Sequence, residues 1–233
     1  MPVKRPSHAV ICVATLALGV GGSTIGSVPP AAVAGRVIVL ERGNQPASDV
    51  GTAVIWLEAP AGASVRPAPA RTFDVIAEGK DFRPRVTVVP VGSTVRFPNN
   101  DPFNHNVFSL SEEGPFDLGL YGRGETKGTK FNRPGVIRVY CNVHANMAAF
   151  ILVRDNGYYT QPGGDGAFSI ASVPPGKYVL HAWHERSADL KQDVDVTAQG
   201  LAKVDLQLDA RGYKFVQHLN KFGQPYSRGG ARY

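Results

Sequence analysis

Residues 136–147 read VIRVYCNVHANM, and this stretch gives the clearest indication of the fold. Its first half alternates between apolar and polar positions, a period of two that predicts a strand with one buried face. The buried face carries Ile137, Val139 and Cys141. Cys141 therefore ends a strand on the apolar side of a sheet, and the short loop after it carries His144 and Met147.

A second segment, residues 99–107, reads NNDPFNHNV and places one more histidine at the entrance to another predicted strand. Together the two segments supply four candidate metal ligands: His105, Cys141, His144 and Met147. Two histidines and one cysteine in a plane, with a weak axial methionine, form a blue-copper ligand set. A buried Cys or Met alone usually serves packing, but four donors in this order predict one mononuclear copper ion.

The rest of the chain predicts strands throughout. Its 233 residues include 26 Gly and 18 Pro, and 43% of them are hydrophobic, which is enough to fill real cores. No segment shows a sustained period of 3.6, so the sequence predicts an all-β protein. The formal net charge of +6 is modest and is not clustered as in a nucleic-acid-binding surface. No nucleic-acid partner is expected.

The N-terminal residues 1–34 have the pattern of a secretory signal peptide. A basic start precedes an apolar run over residues 9–20, and residues 32–34 have the small-residue form of a cleavage site. The apolar run is too short to span a bilayer, so no transmembrane segment is expected. Cleavage before Gly35 predicts a periplasmic or extracellular protein whose single cysteine, Cys141, cannot form an internal disulfide.

Residues 72–155 resemble the cupredoxins of the plastocyanin and amicyanin type. Residues 99–107 are similar to the plastocyanin stretch around its first copper histidine, and the C-x-x-H-x-x-M motif has the ligand-loop spacing of amicyanin. The resemblance implies a Greek-key cupredoxin β-sandwich, with Asn106 joining the two ligand loops by hydrogen bonds. The implied equatorial ligands are His105, Cys141 and His144, and the implied axial ligand is Met147.

Two positions depart from the plastocyanin pattern. Asn104 and Val143 stand immediately before the ligand histidines, where plastocyanin has proline at both places. This departure bears on the rigidity of the loops and not on the number of ligands. The whole sequence also resembles exported cupredoxin-domain proteins that are often labelled methylamine utilisation proteins.

The resemblance implies that the protein carries single electrons by cycling copper between Cu(I) and Cu(II), with no catalytic residue. His105 is expected to be buried, while His144 approaches the surface and is the expected electron port. The weakly basic chain favours an acidic redox partner such as a c-type cytochrome or a dehydrogenase. The alternative is a periplasmic protein that binds or traffics copper, or docks to other envelope proteins. No motif indicates the second cofactor that an oxidase or reductase would need.

The segments on either side resemble the carboxypeptidase-regulatory sandwich, a small transthyretin- or Ig-like β-sandwich. The resemblance lies in GDGAFSI at residues 164–170 and PPGKYVL at residues 174–180. We therefore predict one sandwich built from residues 35–59 and 156–209, split by the cupredoxin domain and joined to it through a linker over residues 60–71. The alternative is two unrelated β segments packed on the cupredoxin.

Three histidines beyond the predicted signal peptide fall outside the candidate site. His181 and His184 are expected to be structural or at the surface, because residues i and i+3 of a strand point to opposite faces. A second metal site is the alternative for this pair. The tail over residues 210–233 is basic and contains no acid. A loosely ordered end is expected there, with a docking segment as the alternative, and His218 within it has no evident partner.

Overall fold

The computed structural model describes Met1, residues 31–63 and residues 65–226. These residues form seventeen strands and two short 3₁₀ turns, Arg42–Asn44 and Val50–Thr52. The all-β prediction is therefore confirmed, while most of the predicted signal peptide lies outside the described residues. Within the described part of the chain, no helix is long and apolar enough to cross a membrane.

The strands are numbered in chain order. They are β1 (Val33–Leu40), β2 (Val54–Glu58), β3 (Thr72–Asp74), β4 (Ile76–Glu78), β5 (Asp81–Arg83), β6 (Val86–Pro90), β7 (Thr94–Pro98), β8 (His105–Ser109), β9 (Phe116–Tyr121), β10 (Thr126–Lys130), β11 (Gly135–Cys141), β12 (Ala148–Arg154), β13 (Tyr159–Thr160), β14 (Ala167–Ile170), β15 (Gly176–Trp183), β16 (Leu190–Val196) and β17 (Leu201–Asp209).

Strands β3 to β12 form the region that contains the candidate ligands. A five-stranded sheet in the order β6-β12-β11-β8-β9 faces a three-stranded sheet in the order β10-β7-β3, with the β4-β5 hairpin beside them. Their inward side chains form one hydrophobic core, whose fully buried members include Phe97, Ile137, Val139 and Ile151. This is the cupredoxin β-sandwich that the resemblance implies.

Every residue of β12 is buried, because both faces of this strand are covered. One face enters the cupredoxin core with Ala149, Ile151 and Val153. The other face packs in a separate cluster made of Phe150, Leu152, Val54, Trp56, Val86 and Trp183. A strand that is buried on both sides carries a near-continuous apolar run, and residues 148–153 read AAFILV for that reason.

A second sandwich lies on the other side of that cluster. Its sheets have the orders β14-β1-β17 and β13-β2-β15-β16, so strands from before and after the cupredoxin region contribute to both. The two sheets share a hydrophobic core that includes Val37, Ile55, Leu57 and Leu180. The strand order is compatible with one sandwich split between residues 35–59 and 156–209. The insertion of the cupredoxin domain into one carboxypeptidase-regulatory-like sandwich stays a prediction.

The start of the second sandwich differs from the expected boundary. β1 begins at Val33, two residues before the predicted cleavage point at Gly35. Val33 is fully buried and pairs with Ile170 and Leu201. The sandwich therefore extends into the stretch assigned to the signal peptide, because the alternation of β1 directs this valine into the core.

The predicted linker over residues 60–71 is attached to the second sandwich through Arg66. Its main-chain N–H donates to the hydroxyl of Tyr158 at 3.0 Å, and its guanidinium lies 5.1 Å from the centre of the same ring. The Nη1 group donates to the carbonyl of Ala171 at 3.2 Å. The linker thus follows the surface of the sandwich before β3 begins.

The C-terminal residues 211–226 leave the second sandwich after β17 and reach the cupredoxin region. The N–H of Lys221 donates to Oδ1 of Asn142 at 2.9 Å, and the hydroxyl of Tyr226 donates to the carbonyl of Cys141 at 2.7 Å. These contacts favour the docking segment over the loosely ordered end for the described part of the tail.

Candidate metal centre

Strand pairing brings the candidate ligands together. β11 runs antiparallel to β8, with Cys141 opposite Val107, so the end of β11 lies beside the start of β8. His105 is the first residue of β8 and Cys141 is the last residue of β11. The loop between β11 and β12 then carries His144 back over the same edge of the sheet.

Three donor atoms converge at this edge. Sγ of Cys141 lies 3.5 Å from Nδ1 of His105 and 3.7 Å from Nδ1 of His144, and the two nitrogens lie 3.2 Å apart. His105 and Cys141 are fully buried, while His144 is half-buried. Among the described residues, this is the one group of three or more His, Cys, Asp or Glu side chains placed to hold a metal ion.

The dimensions and chemistry of this triangle fit a copper ion. An ion at its centre lies about 2.0 Å from each donor, close to metal–imidazole distances of about 2.0–2.1 Å and metal–thiolate distances of about 2.3 Å. A cation placed between the two imidazole nitrogens and the sulfur would be stabilised by all three donor atoms at once. One soft sulfur with two imidazoles is a donor set suited to copper.

Met147 lies next to the three donors in the same core. It is fully buried and belongs to the same hydrophobic cluster as Cys141. Its N–H donates to the carbonyl of His144 at 3.0 Å, and its carbonyl accepts from the N–H of Cys141 at 3.1 Å. These two bonds fold the loop back on itself, so the methionine returns to the end of β11. Its role as axial ligand stays a prediction.

Asp101, which was not among the predicted site residues, orients one of the predicted ligands. Nε2 of His105 donates to Oδ2 of Asp101 at 2.9 Å, and both side chains are buried. With Nε2 directed at Asp101, His105 presents Nδ1 to Cys141. An acid four residues before a candidate ligand is the signal that could have indicated this contact.

The Asp101 carboxylate is held as an anion by its surroundings. Burial acts to raise its pKa, but hydrogen bonds from the N–H groups of Lys80 and Gly79 and from His105 together lower the pKa below its usual 3.8. The two N–H groups lie 2.9 and 2.7 Å from the carboxylate oxygens. Asn99 Oδ1 also accepts the N–H of Asp101, which holds the loop before β8 in place.

Asn106 connects the two ligand-bearing segments mainly through its main chain. Its carbonyl accepts the N–H of Asn142 at 2.8 Å. Its side-chain amide points elsewhere and donates to the carboxylate of Asp117. The predicted hydrogen-bonding role between the ligand loops therefore falls to the peptide group, whereas the side chain fixes β8 to β9.

The surroundings of His144 and Cys141 suit an uncharged imidazole and a thiolate that binds a metal. Burial raises the pKa of Cys141, although N–H groups of Asn106, Val143 and His144 point toward its sulfur and oppose the effect. Burial, with the neighbouring His105 and Lys80, lowers the pKa of His144. Uncharged His144 is the form that can bind a metal. The Cys141 thiol releases its proton when a cation binds to its sulfur.

Two other histidines in the described part of the chain lie away from this triangle. His181 is buried on β15, stacked on Trp56 with 4.6 Å between ring centres, and its Nε2 lies 2.9 Å from Glu58. His184 is fully buried just beyond β15, with Nε2 3.7 Å from a carboxylate oxygen of Asp49. These two histidines have separate partners, as a structural role predicts.

His218 has a partner that the sequence did not indicate. Its ring is stacked on Tyr140, the residue before Cys141, with 4.2 Å between ring centres and 15° between planes. The expectation of an isolated histidine in the tail is therefore wrong, because the C-terminal segment folds back onto β11.

Comparison with curated proteins gives one informative relative. The chain is 33% identical over 122 residues to chloroplastic plastocyanin of Fritillaria agrestis, which covers 45% of this chain and 72% of that protein. No family model matches the chain.

Three solved structures illustrate the structural similarity. The purple cupredoxin of Nitrosopumilus maritimus has a TM-score of 0.32 and 23% identity, covering 37% of this chain and 100% of that one. A reduced amicyanin variant has a TM-score of 0.33 and 21% identity, covering 36% and 82%. The copper-containing nitrite reductase of Thermus scotoductus SA-01 has a TM-score of 0.34 and 25% identity, covering 51% and 28%.

Proposed function

The chain belongs to the plastocyanin family of cupredoxins, and from this premise we propose that it is an exported mononuclear blue-copper protein that carries single electrons between redox partners. The observation that carries the proposal is the buried convergence of one sulfur and two imidazole nitrogens, 3.2–3.7 Å apart. Bound copper would supply the Cu(I)/Cu(II) couple. The N-terminal signal-peptide pattern supports export.

Three ligands would hold the ion in a plane, and the fold positions each of them separately. Cys141 is held at the end of β11 by ladder pairing, and Asp101 sets the orientation of His105. The carbonyl of His144 accepts the N–H of Met147, which closes the ligand loop. A donor set held this firmly needs little rearrangement when the ion changes charge, and that favours rapid electron transfer.

The exposed edge of the site lies at His144. This half-buried ring lies 5.8 Å from the ring of Phe103, which is 39% exposed, whereas His105 and Cys141 are shielded from water. Nζ of Lys80 lies 4.9 Å from the centre of the Phe103 ring. An apolar edge with a cation beside it supports His144 as the electron port and an acidic redox protein, such as a c-type cytochrome or a dehydrogenase, as the partner.

We assign no enzymatic activity and no catalytic residue to the chain. Over the described residues, metal-ligating side chains gather at one place. A copper oxidase or reductase needs a second cofactor or an open coordination position for its substrate. The arrangement supports electron transfer without further chemistry.

The test is the visible absorption spectrum of the purified protein after addition of Cu(II), beside a Cys141→Ser variant. We expect an intense thiolate-to-copper band that reductant bleaches reversibly and that is absent from the variant. His181→Gln serves as a matched control, because it removes a buried histidine outside the triangle and leaves the band in place.

Two outcomes would contradict the proposal. Copper binding without the band would favour the alternative, a periplasmic copper-binding or trafficking protein. Failure to bind copper would leave the cupredoxin region as a scaffold for envelope interactions and would direct attention to the second sandwich.

A further inference from the structure

The described end of the chain, residues 213–226, lies across the outside of the metal-ligand loop. We call these residues the C-terminal strap and residues 141–147 the ligand loop. The hydroxyl of Tyr226 donates to the carbonyl of Cys141 at 2.7 Å, although the two residues are 85 positions apart. The strap therefore bonds to the peptide group of a predicted ligand.

Two further hydrogen bonds join the strap to the ligand loop. The N–H of Lys221 donates to Oδ1 of Asn142 at 2.9 Å. Nε2 of Gln217 donates to Oδ1 of Asn146 at 3.3 Å. The strap thus contacts the loop near its start and near its end, on either side of His144.

Aromatic packing completes the attachment. The His218 ring is stacked on Tyr140, and the Tyr226 ring meets His218 edge-on at 5.3 Å between centres and 89° between planes. The same hydroxyl of Tyr226 lies 3.4 Å from Nδ1 of His218. His218 and Tyr226 therefore form one unit that covers the end of β11 where Cys141 begins the loop.

The strap also reaches the segment that carries the other histidine ligand. Nζ of Lys221 lies 2.7 Å from the carboxylate of Asp117, and that carboxylate also accepts the side-chain amide of Asn106. Asn106 directly follows His105 in β8. The strap consequently links both ligand-bearing segments from outside the sandwich.

The ligand loop has only a few internal restraints. Its sequence, CNVHANM, contains no proline, and proline is the residue that restricts the backbone most. Its internal main-chain bonds, between Cys141, His144 and Met147, are few. A loop of this kind opens locally unless neighbouring structure holds it.

We propose that the C-terminal strap positions the ligand loop, with His218 and Tyr226 as the positioning residues. They hold the loop in its metal-binding shape before an ion arrives. The metal-related part of this inference rests on the proposed function, whereas the ordering of the loop does not.

The first test is hydrogen–deuterium exchange of the full-length, metal-free protein, read over a peptide that covers residues 142–147. Tyr226→Phe removes only the hydroxyl, and His218→Leu removes the stacked imidazole at similar volume. We expect each to speed exchange of these amides about two- to tenfold, the range for one lost hydrogen bond of ordinary strength. Val216→Thr is the matched control, because this strap residue is 79% exposed and keeps its shape.

The core amides of β12 report whether a variant is folded, since they belong to the centre of the sandwich. Unchanged exchange in the ligand loop of both folded variants would overturn the proposal. Faster exchange over the loop and β12 alike would also overturn it, because that pattern signals general destabilisation rather than loss of local positioning.

The second test uses the copper-loaded protein and reads the energy of the thiolate-to-copper band. Tyr226→Phe is expected to shift the band while the wild-type unfolding midpoint is retained, because the substitution alters the peptide group of Cys141. A band at the wild-type position would contradict positioning of the ligand. If wild-type protein shows no band, the proposed function fails, and the exchange result still decides whether the strap orders the loop.

Discussion

Nε2 of His105 lies 2.9 Å from a carboxylate oxygen of Asp101, and both side chains are shielded from water. The carboxylate is itself held by the N–H groups of Gly79 and Lys80, at the turn between β4 and β5. A turn in the sandwich therefore determines which nitrogen of His105 faces Cys141. A carboxylate behind a histidine ligand fixes the ring and makes the ligand more basic.

Replacing this carboxylate should weaken metal binding. We expect Asp101→Asn to lower copper affinity about 10- to 100-fold, the usual effect of losing a hydrogen-bond partner behind a histidine ligand. Competition with a chelator of known affinity measures the change. Asp193→Asn, an exposed acid on β16 of the second sandwich, is the control and should bind copper as the wild-type protein does. Equal affinities for the two variants would show that Asp101 does not support the ligand.

Met147→Leu tests the predicted axial ligand. Leucine has a similar volume, so the core should be retained at a cost of less than about 1.5 kcal/mol. Loss of a thioether donor destabilises Cu(II) more than Cu(I), so the reduction potential should rise while the thiolate band persists. A redox titration followed at the band measures the potential. An unchanged potential would exclude Met147 from the coordination of the ion.

Trp183→Ala tests the contact between the two sandwiches. Trp183 is 5% exposed and lies 5.3 Å from the ring of Phe150 on β12, within the cluster that joins the sandwiches. Removing a buried tryptophan costs about 3–5 kcal/mol, and we expect the denaturant unfolding curve to separate into two transitions by circular dichroism. Leu110→Ala, at an exposed residue, should leave the curve unchanged. A single transition at the wild-type midpoint for Trp183→Ala would argue against this cluster as the coupling element.

Acidification should destabilise the folded protein through His184. Burial lowers the pKa of this residue from 6.5 despite the nearby Asp49 carboxylate. As the pH falls through 6.5 the unfolded chain takes up a proton that the folded chain resists, so the free energy of unfolding decreases until the folded pKa is reached. His184→Gln should lose less stability than wild type between pH 7.5 and pH 5.5, measured by denaturant titration of the metal-free protein.

Asp205→Asn provides the control for that comparison. Asp205 is an exposed residue on β17 of the same sandwich, so this substitution changes a surface charge and leaves the buried imidazole in place. The variant should retain the full pH dependence of the wild-type protein. If His184→Gln behaves in the same way, the buried imidazole is not the group responsible.

Local sequence patterns were sufficient to predict the strands and to single out the candidate ligands. The alternation in β11 predicts that Cys141 lies on the buried face of the strand, because successive side chains of a strand point to opposite faces. The spacing of His144 and Met147 after Cys141 places all three in one short loop, since so few residues cannot leave the end of the strand. These inferences needed no knowledge of distant contacts.

The patterns alone could not show which distant groups support the site. Asp101 contacts His105 only because the β4–β5 turn holds its carboxylate in place, and nothing in residues 99–107 specifies that turn. In the same way, no local signal in the tail indicates that Tyr226 reaches Cys141. The bonds from Gly79 and Lys80 to Asp101, and the bond from Tyr226 to Cys141, join segments that approach each other only after the sheets have formed.

Strand periodicity and ligand chemistry are local properties, so residue patterns alone predicted an all-β chain and four candidate ligands in order, while the resemblance to the cupredoxins indicated the cupredoxin region. Tertiary structure alone decided the orientation of His105, the burial of both faces of β12 and the course of the C-terminal strap. These features arise from hydrogen bonds and packing between segments that are far apart in the chain. The energy of such contacts depends on how the folded segments are placed, which local sequence patterns do not specify.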